Sequence, residues 1–173
     1  QGKIYIDGLD ISRIPLSILR SRVGIILQDP ILFSETVRFN IDPFSQYSDE
    51  QIWSILREVG LSDKIKSLPD QLYEKVAEGG SNFSVGQRQL MAFSRTLLSQ
   101  HKIVFLDEAT SSLDNETDIV IRELLERKMK DKTVVTIAHR LHTIVDCDKV
   151  VVFDQGQVAE MGPPPVLLSE DDT

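Results

Sequence analysis

The chain has 173 residues, 41% of them hydrophobic and 27% charged, enough for one domain with a sizeable core and unlike fibrous or disordered chains. Its formal net charge of −8 argues against a nucleic-acid partner, because non-specific affinity for phosphate backbones comes mainly from Lys and Arg. Cys147 is the only cysteine, so no intrachain disulfide forms, and no apolar run approaches the roughly 20 residues that a bilayer-spanning helix needs.

Lys3-Ile4-Tyr5-Ile6 alternates as a strand does, and Asp7-Gly8 signals a tight turn into a second extended piece over residues 9–11, together a surface hairpin. A short helical turn over residues 15–20 leads to Val23-Gly24-Ile25-Ile26-Leu27, read as a buried strand whose tip carries Gln28. Pro30 keeps Asp29 out of helical geometry, so the strand opens into a loop. There Ile31-Leu32-Phe33 present apolar side chains either to the core or to another domain.

Residues 34–100 read as mainly helical. Ser48-Asp49-Glu50-Gln51 fits a capping box, followed by Ile52, Ile55, Leu56 and Val59 at i, i+3, i+4 and i+7, with Gly60 as the stop. A shorter helix over residues 61–68 ends before Pro69, Trp53 is assigned to packing, and residues 73–82 show no periodicity and read as loop. Ser84 and Gln87 form a second capping box ahead of a stripe of Leu90, Phe93 and Leu97. Gly86 in that first turn costs about 1 kcal/mol relative to Ala, which asks for a reason such as close approach of a phosphate to a bare N–H.

Ile103-Val104-Phe105-Leu106 ends in Asp107-Glu108. The wholly apolar run predicts a strand buried on both faces of a parallel sheet, with its carboxylates at the carboxyl end, where such sheets place ligands. An Asp there helps hold Mg²⁺ in nucleoside triphosphatases, and a Glu beside it can polarise a water; acidic residues also follow buried strands simply where a chain leaves the core. Beyond a polar turn ending in Asp114, a helix over residues 116–130 buries Ile121, Leu124 and Leu125. Thr133-Val134-Val135-Thr136-Ile137 reads as a third buried strand tipped by His139, and Val150-Val151-Val152-Phe153 as a fourth. Residues 156–162 make another hairpin arm, Pro163-Pro164-Pro165 opens the tail, and Glu170-Asp171-Asp172 ends it solvated. Gln28, the Asp107 and Glu108 pair, and His139 thus sit at three strand tips, with the chemistry that in-line attack on ATP requires.

In this order the motifs resemble the nucleotide-binding domain of ABC transporters. Gln28 resembles the Q-loop glutamine, residues 83–87 the signature, residues 103–107 the Walker B strand, Glu108 the catalytic glutamate, residues 111–114 the D-loop and His139 the switch histidine. The strings Gln28-Asp29-Pro30-Ile31-Leu32-Phe33-Ser34, Asn40-Ile41-Asp42-Pro43 and residues 82–90 are similar to the C subfamily, which includes multidrug-resistance-associated proteins and sulfonylurea receptors. First domains of that subfamily often carry Asp at the position of Glu108, so the resemblance favours a second domain.

The resemblance implies an α/β fold, a RecA-like P-loop NTPase core over residues 1–173 with a helical subdomain inserted at residues 34–100 and a β-hairpin arm. It implies ATP and Mg²⁺ as ligands, Asp107 and Gln28 at the metal, Glu108 as general base and His139 on the γ-phosphate. Ser84, Gly86, Gln87 and Asp114 would also meet nucleotide, Ser84 and Gly86 at the opposite site of a head-to-tail pair of nucleotide-binding domains. Transmembrane domains of the same polypeptide and a small-molecule transport substrate are the further partners implied, which puts this domain on the cytoplasmic side of a multi-pass membrane protein. The implied function is ATP-driven export of organic anions or conjugates, with a nucleotide-sensing channel subunit of the sulfonylurea-receptor type as the alternative.

Two departures stand out. Phe83-Ser84-Val85-Gly86-Gln87 replaces the usual Leu-Ser-Gly-Gly-Gln but keeps its Ser, second Gly and Gln. No G-x-x-x-x-G-K-[ST] occurs, and the only Gly-Lys pair, Gly2-Lys3, has no glycine loop before it. The P-loop and an adenine-stacking aromatic are therefore expected upstream of Gln1, and the 173 residues alone are expected to bind and hydrolyse little ATP.

Overall fold

The computed structural model describes residues 2–110, 113–138 and 144–169. It divides into two compact units, residues 1–136 and 137–173. The first opens on a hairpin of β1 (Tyr5–Ile6) and β2 (Leu9–Asp10), with Ile6 opposite Leu9. Asp7 at φ 49° and Gly8 at φ 76° both take the left-handed conformation, the pair that a type I′ turn needs to match the twist of its strands. Helix α1 (Leu16–Arg22) then delivers the chain to β3 (Val23–Ile26).

Strand β3 pairs in parallel with β4 (Ile103–Asp107), Ile26 lying opposite Leu106, and β5 (Thr133–Ile137) flanks β4 on its other edge. Parallel pairing demands a long crossover, and the whole helical stretch between β3 and β4 supplies it. Gly24 is required here by packing, since a Cβ on it would lie 2.7 Å from His101 Nδ1 at the entrance to β4.

The sheet differs from expectation in one respect. Gly24, Ile26, Val104 and Leu106 are buried, but Ile25 is 58% and Phe105 39% exposed, and Val134, Val135 and Ile137 of β5 are exposed as well. Among the described residues β3 and β4 are covered on one face only, and β5, expected as a third buried strand, is exposed along its length except at the half-buried Thr136. An apolar run shows that a strand avoids water; it carries no information on how many layers the rest of the chain provides to cover it.

Between β3 and β4 lie α2 (Val37–Ile41), α3 (Asp49–Glu58), α4 (Ser62–Lys66) and α5 (Val85–Leu98). Both capping boxes form: the Ser48 and Ser84 hydroxyls accept from the Gln51 and Gln87 backbone N–H groups, while each Gln side chain accepts from its Ser backbone N–H. Ile52, Ile55, Leu56 and Val59 are all buried, and Trp53 packs against the same core. That core joins Phe93 and Met91 of α5 to Ile26 and Val104 of the sheet and to Ile121 and Leu124 of α6 (Asn115–Met129). Residues 73–82 are better ordered than a structureless loop, because Glu78–Gly80 forms a 3-10 turn and Thr36 bridges Lys75.

The apolar loop after Gln28 is split between core and solvent. Leu32 is buried while Ile31 and Phe33 stay exposed. The fully buried Asn40 fixes that split: its Oδ1 accepts from Phe33 N (2.8 Å) and its Nδ2 donates to Phe33 O (2.9 Å) and Thr36 O (3.0 Å). Arg95 Nε donates to Asn40 O at 2.7 Å, and its guanidinium stands 5.9 Å from the Phe33 ring centroid, a cation–π distance.

Arg38 on α2 ties down the start of α3, its Nε donating to Asp49 Oδ1 at 2.8 Å while Tyr73 Oη donates to Asp49 Oδ2 at 2.9 Å. The Arg38 hydrogen bond foremost, then that of Tyr73, holds the Asp49 carboxyl below the usual carboxylate range. A carboxyl so lowered contributes stability above its unfolded-state pKa and loses it as pH falls through the native value. Wild type is therefore expected to exceed Asp49→Asn by about 1 kcal/mol at pH 7, a modest figure because the pair is partly exposed, and the gap should close as pH falls below the ordinary aspartate range. Urea unfolding at a series of pH values checks it; a pH-independent gap would mean that Asp49 acts through packing.

The second unit contains a hairpin of β6 (Val150–Asp154) and β7 (Gln157–Gly162), with Asp154 opposite Gln157, followed by α7 (Pro164–Ser169). The expectation of a fourth buried strand at Val150 to Phe153 is corrected: among the described residues β6 pairs with β7 alone, and Val151, Val152 and Phe153 are exposed. Gln155 at φ 48° and Gly156 at φ 78° form another left-handed turn pair, which gives β6 a partner only two residues away.

Candidate functional site

Gln28 and Glu108 lie 80 residues apart in sequence and meet at the carboxyl ends of neighbouring parallel strands. The register that sets Ile26 opposite Leu106 puts each of them two positions beyond that pair, and Gln28 Nε2 donates to Glu108 Oε2 at 3.3 Å. Asp107 is the last residue of β4, half-buried beside this contact. Glu108 takes φ 42°, a left-handed conformation that costs a non-glycine residue about 1–2 kcal/mol and that clusters at functional sites. The chain bends there, directly after the end of β4.

Ser84 stands at the exposed N-terminus of α5, its hydroxyl accepting from Gln87 N at 3.2 Å. Gly86 lies in the first turn, where backbone N–H groups find no intrahelical acceptor. The loop ahead of the cap is held by Arg88, whose Nη1 donates to Phe83 O at 2.9 Å and Gly80 O at 3.4 Å. Gly80 is obligatory there: its φ is +73°, and a Cβ would lie 2.6 Å from Arg88 Cδ. Asp114 caps α6, accepting from Thr117 N at 3.0 Å and Thr117 Oγ1 at 2.8 Å. Those Thr117 bonds, the backbone one foremost, keep its carboxyl below the ordinary range.

The structure thus brings Gln28, Asp107 and Glu108 together and gives Ser84, Gln87 and Asp114 capping bonds of their own. His139, and Ser111 and Ser112 of the stretch that resembles the D-loop, lie outside the described residues. Among the described residues no three His, Cys, Asp or Glu side chains converge on one metal position. Sequence reasoning missed Asn40 and Gln89, both fully buried. Gln89 had a readable signal, since it precedes Phe93 and Thr96 by four and seven positions and is the polar exception on an inward helix face.

Parallel strands β3 and β4, a helical insertion between them, and an amide and two carboxylates at their tips define a nucleoside-triphosphatase-type α/β domain. The chain belongs to the ABC transporter family, whose model, described as "ABC transporter", matches residues 1–111. It is 48% identical over 172 residues to the probable multidrug resistance-associated protein lethal(2)03659 of Drosophila melanogaster, covering 99% of this chain and 12% of that protein. It is 50% identical over 168 residues to ATP-binding cassette sub-family C member 2 of Mus musculus, covering 97% of this chain and 11% of that one. A bacterial Atm1-family ABC exporter, solved with ATP bound, superposes with a TM-score of 0.91 at 36% identity, over 99% of this chain and 30% of the exporter chain. The chain therefore spans a small part of the proteins it resembles.

Proposed function

We infer that these residues form part of an ATP-binding and ATP-hydrolysing domain that powers export of organic anions or conjugates by an ABC transporter of the C subfamily. The observation that carries this reading is the 3.3 Å bond between Gln28 and Glu108 at the tips of parallel strands, beside Asp107. Glu108 is the general base, placed to take a proton from the water that attacks the γ-phosphate. Asp107 and Gln28 Oε1 offer hard oxygen donors, and Mg²⁺ asks for only one or two protein ligands beside phosphate and water, so the donor set suits it without a three-residue cluster. When bound, Mg²⁺ neutralises charge building on the phosphate oxygens.

Ser84, Gly86 and Gln87 present a helix N-terminus to the nucleotide of a paired domain, Asp114 lies at that interface, and His139 holds the γ-phosphate. Residues 34–100 act as a helical subdomain, and the exposed Ile31 and Phe33 meet the transmembrane domains of the same polypeptide. No helix among the described residues is long and apolar enough to cross a membrane.

Inside-out vesicles carrying the full-length protein test the reading. Uptake of a fluorescent organic anion is expected with ATP and not with a non-hydrolysable analogue. Nucleotide binding without uptake, together with a nucleotide-dependent current when a potassium-channel partner is co-expressed, would replace it with the sulfonylurea-receptor reading.

A further inference from the structure

Gln89 of α5 is fully buried, on the helix face that also carries Phe93. Its Nε2 donates to the backbone oxygen of Leu27, 62 residues away, at 3.1 Å. Its Oε1 is also buried and finds no hydrogen-bond partner among the described residues. A buried polar atom left unpaired is costly, and an apolar side chain of the same size would avoid that cost. Fold stability is thus a poor reason for an amide here, and attention falls on what its one bond holds.

That bond holds the peptide unit linking Leu27 to Gln28. A peptide group is planar, so fixing the direction of Leu27 C=O also fixes the direction of Gln28 N–H and limits the rotation that aims the Gln28 side chain. Gln28 itself is exposed beyond the end of β3, with a single side-chain bond to Glu108 that at 3.3 Å lies at the long end of the range. Nothing in β3 constrains it, because the ladder with β4 ends at Ile26. The same helix begins at Ser84, only five positions before Gln89.

We propose that Gln89 is a positioning residue: through Leu27 O it sets the direction in which Gln28 reaches Glu108, and it ties that direction to the helix that Ser84 caps. A shift of α5 along its axis then turns the Leu27–Gln28 peptide and lengthens or shortens the reach to Glu108. The inference rests on the reading of Gln28 and Glu108 as catalytic-site residues.

Gln89→Met in the full-length protein removes the donor while nearly keeping the volume. Expected are an unfolding midpoint within about 3 °C of wild type, a KM for ATP within about twofold, and a kcat lowered roughly fivefold to tenfold, the size of one lost orienting bond. Gln89→His, whose Nε2 reaches about as far, should keep at least half of the wild-type kcat, and it serves as the second variant if Gln89→Met folds poorly. Adding Gln89→Met to Gln28→Ala should change kcat no further, since both act through one group. Normal kcat in Gln89→Met, a well-folded Gln89→His as slow as Gln89→Met, or losses that multiply with Gln28→Ala would each overturn the proposal. A silent Gln28→Ala would instead bring down the reading of the site, and the role of Gln89 with it.

Discussion

Replacing Glu108 with Gln in the full-length protein is expected to lower kcat for ATP hydrolysis on the order of 10²–10⁴-fold, while ATP affinity stays within about threefold. The amide is isosteric with the carboxylate, and its oxygen can still accept the bond from Gln28 Nε2, so the geometry at the strand tips survives. What disappears is the ability to take a proton from water. The left-handed backbone at φ 42° belongs to the position and not to the charge, so the unfolding midpoint should hardly move. Steady-state turnover measured beside nucleotide binding on the same preparation separates the two quantities. Turnover near wild type would remove Glu108 from the role of base and leave Asp107 and His139 to be tested in its place.

The second large effect is expected at the N-terminus of α5. Ser84→Arg should reduce hydrolysis by about 10²-fold, comparable to losing one oriented donor at a developing anion. Two consequences of that substitution must be told apart. Losing the cap bond to Gln87 N costs α5 about 1 kcal/mol, and Ser84→Asn, which can still cap, isolates that part. The remainder of the Ser84→Arg effect reflects a bulky side chain where a second domain would bring its nucleotide. Photolabelling of each nucleotide site in the full-length protein should then show this domain's own Asp107 side still labelled. If Ser84→Arg hydrolyses normally, the hydroxyl serves helix capping and nothing more.

Much of the site could be read along the chain because its signals are local. Asp7-Gly8 forms its turn through the backbone preferences of two adjacent residues, and the Ser84 and Gln87 box closes within three positions. Asp107 and Glu108 stand at a strand end because the apolar run before them stops there. Gln89 shows in the sequence as a polar exception on an apolar helix face, but what it holds does not, because its partner is a backbone oxygen and that leaves no mark in a sequence. Asn40 was read only as part of a family string, although its side chain is what holds the Phe33 loop in place.

The sequence by itself determined the tight turn at Asp7-Gly8, the capped starts of α3 and α5, the strand that ends in Asp107, which residue types could hold a metal or move a proton, and the family to which the chain belongs. Each of these depends on interactions within about one turn of helix or on the order of motifs, and both are written directly in the chain. Only the tertiary structure decided that Gln28 bonds Glu108, that α5 grips the peptide before Gln28, that β6 pairs with β7, and that β3 and β4 are covered on one face among the described residues. These outcomes turn on which distant segments come together. Burial rewards many such pairings nearly alike, and register and hydrogen-bond geometry select among them only once the layers have assembled.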